Sequence, residues 1–129
     1  MVAIQSILPI LAMTALVSAI PQPGASVATY RFFNRANCDF SGGDQRETLT
    51  AIMPGGSAPL QPTQRLVGTC YSENAYASLA LFNIEAGCQW EQHTAGCTGT
   101  PLAIKNSNTP QCLTVSGAAP RNFYRITCR

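Results

Sequence analysis

Glu91 and His93 are the residues whose types and spacing most directly suggest chemistry in this sequence. Two positions apart, they would share one strand face if the strand ran that far, and a carboxylate beside an imidazole invites general-base work. His93 is the single histidine among 129 residues, which removes mechanisms needing two imidazoles and multi-histidine metal sites. No Gly-x-Ser-x-Gly nucleophile elbow accompanies it. A small secreted hydrolase would need His93, Glu91 and a nearby arginine to converge in a cleft. The plainer expectation is an exposed histidine in the turn after Trp90 and Glu91, and a chain that is not an enzyme.

The other carboxylates are Asp39, Asp44, Glu47, Glu73 and Glu85. A glycosidase needs two carboxylates about 5 to 10 Å apart across a sugar cleft. Asp39, Asp44 and Glu47 crowd into one turn-rich segment, where acidic residues ordinarily solvate turns and strand ends.

The elements that must position these groups are strands. Charged residues make up only 11% of the chain and hydrophobic residues 46%, with plentiful Gly, Pro, Ser and Thr, which excludes a disordered chain and a helical bundle. Eight basic residues against six acidic ones leave a net charge of +2 with no block of like charge, so no nucleic-acid or anionic-membrane partner is expected. Short β-type runs fall at residues 29–34, 47–53, 65–71, 78–84, 88–92, 102–105, 111–115 and 122–128, separated by turn residues such as Pro54-Gly55-Gly56 and Ala86-Gly87. Eight strands is a sandwich count. Residues 57–64, with Pro59 and Pro62, read as a loop and the expected site of mobility.

Residues 7–17 form an uncharged apolar run ending near Val17-Ser18-Ala19, the pattern of a secretory signal peptide over 1–19. The run is too short and too interrupted, by Pro9 and Thr14, for a transmembrane segment. Residues 20–28, with Pro21, Pro23 and Gly24, are expected to be a flexible lead-in to a single domain over 29–129. All six cysteines, Cys38, Cys70, Cys88, Cys97, Cys112 and Cys128, follow the export signal, so three disulfides are the default. No C-x-x-C is present, and neither a metal nor another cofactor is expected. Spacing alone leaves fifteen connectivities open.

The two halves share one grammar. In the first, Tyr30-Arg31-Phe32-Phe33 leads to Asn37-Cys38, Gly42-Gly43 and later Gly68-Thr69-Cys70; in the second, Cys88-Gln89-Trp90 leads to Gly96-Cys97, Gly99 and Gln111-Cys112, closing on Phe123-Tyr124-Arg125-Ile126-Thr127-Cys128. This pattern resembles the βγ-crystallin-like family, in particular its small secreted fungal members. The resemblance implies an all-β fold of two Greek-key motifs forming a β-sandwich. It also implies Cys38 with Cys70 and Cys97 with Cys112 as equivalent bridges, leaving Cys88 with Cys128.

Many domains of that family bind calcium through an acidic or amide pair followed by hydroxyl residues. Glu73, Asn74 and Ser78 resemble such a motif, with Ala77 where a hydroxyl belongs. The matching place in the second half, residues 117–122, has no carboxylate and carries Arg121, so at most one weak calcium site is expected.

Paired aromatics, Phe32 with Phe33 and Phe123 with Tyr124, put one ring on each face of a strand. An exposed aromatic near Arg31, Arg35, Arg121 or Arg125 would be a hot spot for a protein partner. The expected function is that of a secreted, monomeric, non-enzymatic protein binding an extracellular protein or cell-surface target. By resemblance it is a fungal effector or an antimicrobial, killer-toxin-like protein. The alternatives are a protease inhibitor using the 57–64 loop, or the hydrolase using His93.

Overall fold

Apolar and polar residues alternate along Tyr30, Arg31 and Phe32, and in the computed structural model they form part of β1 (Ser26–Phe33) with Tyr30 and Phe32 fully buried. The structure describes residues 20–40, 45–93, 96–106, 111–114 and 123–129. The expected signal segment, 1–19, lies outside them, as do Asp44 and Arg121. β1 is followed by a 3-10 turn (Ala36–Cys38) and by β2 (Gln45–Ile52), β3 (Gln64–Leu66), β4 (Tyr71–Ser72), β5 (Ser78–Ile84), β6 (Cys88–His93), β7 (Ala103–Lys105), β8 (Gln111–Thr114) and β9 (Phe123–Cys128).

The fold is all-β; among the described residues nine strands form two sheets ordered β3-β2-β1-β5-β8 and β4-β9-β6-β7. Pairing is antiparallel except for β2 with β3, which run parallel. The expected strand at 65–71 is two strands, β3 and β4, in different sheets. Gly68, at φ 89, turns the chain between them, and its N–H donates to Ile126 O at 2.7 Å.

Inward-facing residues of both sheets meet in one aromatic core. Trp90 stacks on Tyr124 with centroids 5.6 Å apart, Phe32 lies 4.5 Å from Tyr76, and the Tyr30 and Tyr124 hydroxyls hydrogen-bond at 3.0 Å. These buried rings, with Leu79, Leu81, Ile84 and Ile126, supply most of the apolar burial that holds the sheets together. The first half lends β4 to the sheet of β6, β7 and β9, and the second half lends β8 to the sheet of β1, β2, β3 and β5.

That exchange overturns two of the three disulfides implied by the resemblance. The bridges are Cys38–Cys112, Cys70–Cys97 and Cys88–Cys128. Cys112 on β8 lies opposite Ala80 of β5, so the turn carrying Cys38 reaches it across the sheet face. Only Cys88–Cys128, between directly paired residues of β6 and β9, follows the implied pattern. Both crossed bridges tie one half to the other.

The lead-in expected over 20–28 is structured over its later part. Ser26 opens β1, and Val27 and Ala28 are each 1% exposed, because a register shift between Ser26 and Ala28 turns both inward. Gly24 N–H donates to Met53 O at 2.9 Å, and the backbone there passes so close to Gly56 that a Cβ on Gly56 would lie 2.9 Å from Gly24 Cα.

Candidate functional site

His93 is the last residue of β6, paired with Phe123 of β9, and it is 1% exposed. This corrects the expectation of an exposed turn histidine, because the strand runs one residue further than its sequence pattern suggests. Glu91 and His93 share the face of β6 turned away from Trp90, and Arg125 lies opposite Glu91 on β9. The three residues that a hydrolase would need thus meet.

The Glu91 carboxylate is saturated with donors. Its Oε1 accepts from His93 Nε2 at 3.1 Å and from Arg125 Nη2 at 3.2 Å; its Oε2 accepts from Gln89 Nε2 at 2.7 Å and Thr127 Oγ1 at 3.3 Å. Burial pushes this carboxyl upward, but the hydrogen bonds from Gln89, His93 and Arg125, with the charge of Arg125, outweigh it and hold the group below its ordinary value. Glu91 is 6% exposed. A general base needs a lone pair directed at its substrate, and these oxygens spend theirs on β6 and β9. The arrangement ties two strands together through an ion pair between the buried Glu91 and the part-exposed Arg125, and His93 Nδ1 is left buried without a partner.

Glu73, Asn74 and Ser78 do not assemble into a cation site. The Ser78 hydroxyl is fully buried, accepts from Cys38 N–H at 2.9 Å and donates to the Arg35 carbonyl, so it anchors the Ala36–Cys38 turn. Arg46 takes the oxygens instead. Its guanidinium donates to Glu73 Oε2 at 3.1 Å, to the carbonyls of Asn74 at 2.9 Å and Ala75 at 2.6 Å, and to Asn34 Oδ1. A side-chain cation thus stands among acceptors of the type a hard metal ion would use. Among the described residues, no group of three His, Cys, Asp or Glu side chains could hold a metal.

An exposed aromatic does stand beside an arginine, but it is Phe40, outside the aromatics expected there, on the outer face of the five-stranded sheet. Phe33 and Ala80 point outward from β1 and β5 yet are buried, because the turn after β1 folds over them and the Cys38–Cys112 bridge fastens it there. Phe40 caps this small cluster, 4.9 Å from Phe33 and 6.1 Å from Phe82 between ring centroids, and remains 50% exposed. The Arg31 guanidinium lies 6.0 Å from the Phe40 ring centroid and donates from Nε and Nη2 to Thr48 Oγ1. A groove of about 210 Å³ runs between Phe40, Phe82, Ala80 and the Cys38–Cys112 bridge.

Phe40 belonged to none of the paired aromatics on the strands. The signal that could have found it is a large apolar residue two places after Cys38 in an otherwise polar turn.

Residues 54–62 are all exposed, and Gln64, expected at the end of a loop, opens β3. Gln61 N–H donates to Gln64 Oε1 and Arg65 Nη1 to the Pro62 carbonyl, both at 2.8 Å, so the C-terminal part of this loop is braced. Leu60, between Pro59 and Pro62, is 47% exposed.

Fold and surface together define a class, a disulfide-stapled two-sheet β protein with an aromatic outer patch. No protein-family model, curated protein or solved structure matches the chain. Among the described residues no helix is long and apolar enough to cross a membrane.

Proposed function

We propose that this is a secreted, disulfide-stabilised, non-enzymatic binding protein, acting on an extracellular protein or cell-surface target as a fungal effector or as an antimicrobial, killer-toxin-like protein. The observation that carries the reading is Phe40, half exposed on a patch made rigid by Cys38–Cys112 and set beside Arg31. Aromatic and arginine side chains dominate binding energy at protein interfaces, and a pre-ordered patch loses little entropy on association. Three disulfides support an oxidising compartment. The burial of His93 and the four donors on Glu91 favour this reading over the hydrolase.

The test is binding of fluorescently labelled, oxidised protein to intact plant and fungal cells. Phe40→Ala should weaken binding about tenfold or more while lowering the melting temperature by only a few degrees, the loss of its ring contacts to Phe33 and Phe82. Undiminished binding by that variant would overturn the reading.

The braced loop favours a second reading, inhibition of a secreted endopeptidase, with Leu60 presented as a substrate-like side chain. Inhibition of an endopeptidase panel that is lost in Leu60→Asp but kept in Phe40→Ala would select it.

A further inference from the structure

We propose that the Cys38–Cys112 bridge is a redox switch for the Phe40 patch, cleaved by an external dithiol before the other two bridges and releasing the turn that carries Phe40. The consequence for binding rests on the reading above; the order of cleavage does not. Thiol–disulfide exchange begins with a thiolate reaching one sulfur of the bridge, so access decides which bridge reacts first. Cys112 is exposed on β8, the last strand of its sheet, and both cysteines of its bridge line the groove beside Phe40 and Phe82. A thiolate can therefore approach from the outer face. Cys88–Cys128 is better shielded, because it joins directly paired residues of β6 and β9 and Cys88 is 2% exposed.

Backbone geometry separates the remaining two bridges. Asn37 and Cys38 hold φ of 64 and 51, two consecutive non-glycine residues in the left-handed region, a conformation that persists only while its surroundings impose it. Cys70 is exposed too, but its partner Cys97, at φ 55, follows Gly96, which adopts its φ of 60 freely. Opening Cys38–Cys112 thus releases more strain. In the reaction one thiolate of the dithiol attacks Cys112 Sγ, the S–S bond breaks, and Cys38 leaves as a thiolate that takes a proton from water. The second thiol of the reductant then attacks its own sulfur in the mixed disulfide and releases Cys112. The bridge gains two electrons and two protons, and the dithiol becomes a disulfide. The turn keeps the Ser78 hydrogen bonds to Cys38 N–H and the Arg35 carbonyl, while Asn37 and Cys38 relax and carry Phe40 away from Phe33 and Phe82.

The test is graded reduction of the full oxidised protein with dithiothreitol, trapping of thiols with iodoacetamide, and peptide mapping. Cys38 and Cys112 should be alkylated about fivefold faster than the other four cysteines, with the β-sheet circular dichroism retained. The protein alkylated at those two positions should bind cells about tenfold more weakly than the oxidised protein, matching Phe40→Ala. Prior alkylation of another pair, release of all six thiols together, or loss of the β-sheet signal with the first bridge would overturn the proposal. If the selectively alkylated protein bound cells undiminished while Phe40→Ala did not, the switch would fall and the binding reading would stand. Undiminished binding by both would overturn the two together.

Discussion

Glu91 Oε1 and His93 Nε2 lie 3.1 Å apart on the outward face of β6, both residues buried, with Arg125 of β9 closing on the same carboxylate oxygen. A carboxylate so placed contributes to stability only while it is charged. Its folded-state value lies below the ordinary 4.5, so its contribution is complete above about pH 4.5 and is lost as pH falls through the lower folded value. Thermal melts between pH 2 and 7 should show stability dropping in that acid window, with a flatter profile for Glu91→Gln. Glu91→Ala should cost about 2 kcal/mol at neutral pH, because it removes the hydrogen bonds of the buried His93 and the part-exposed Arg125. An unchanged pH profile in Glu91→Gln would refute the assignment.

The crossed disulfides make a mapping experiment decisive. Peptide mapping under non-reducing conditions should recover Cys38–Cys112, Cys70–Cys97 and Cys88–Cys128. The Cys38–Cys112 bridge spans 74 residues of sequence, and on the chain-entropy account its removal as a double Ala variant should cost about 4 kcal/mol.

Calcium at millimolar concentration should move the melting temperature of the native protein by less than about 2 °C, because the Arg46 cation already sits on Glu73 Oε2 and the backbone carbonyls of Asn74 and Ala75. A tight site at 100 times its Kd would add about 2.7 kcal/mol. Arg46→Ala should cost about 2 kcal/mol, since it removes charge-assisted hydrogen bonds joining β2 to the segment before β5. A large calcium-induced rise in the native protein, abolished by Glu73→Ala, would contradict this.

Tyr30 and Tyr124 should ionise late in an alkaline titration followed by ultraviolet absorbance. Burial pushes both hydroxyls up, Tyr30 well above 10 and Tyr124 to about 12. The stability that their protonated pair supplies is present below pH 10 and is lost as pH rises through those folded values. Tyr30→Phe leaves the Tyr124 hydroxyl without its buried partner and should cost about 1 kcal/mol.

Much of the architecture was legible from local pattern. Short β-type runs such as 78–84 and 123–128 and the punctuating glycines point to an all-β chain, and six cysteines point to three bridges. The pair Glu91 and His93 was visible only as a two-residue spacing, because the strand pattern ends at Gln92 and put His93 in an exposed turn.

What surrounds them was decided only in three dimensions. His93 is buried because β6 extends to pair with Phe123, a contact 30 positions away that no local signal carries. Cys38 meets Cys112 because β8 joins the sheet of the first half and the turn after β1 folds across that face. Arg46 reaches Glu73 because the segment leading into β5 passes beside the start of β2. Sequence period reports which side of a strand a residue occupies; which strand lies next to it depends on how two sheets exchange strands to bury their apolar faces. That exchange placed the exposed aromatic at Phe40 and buried the histidine.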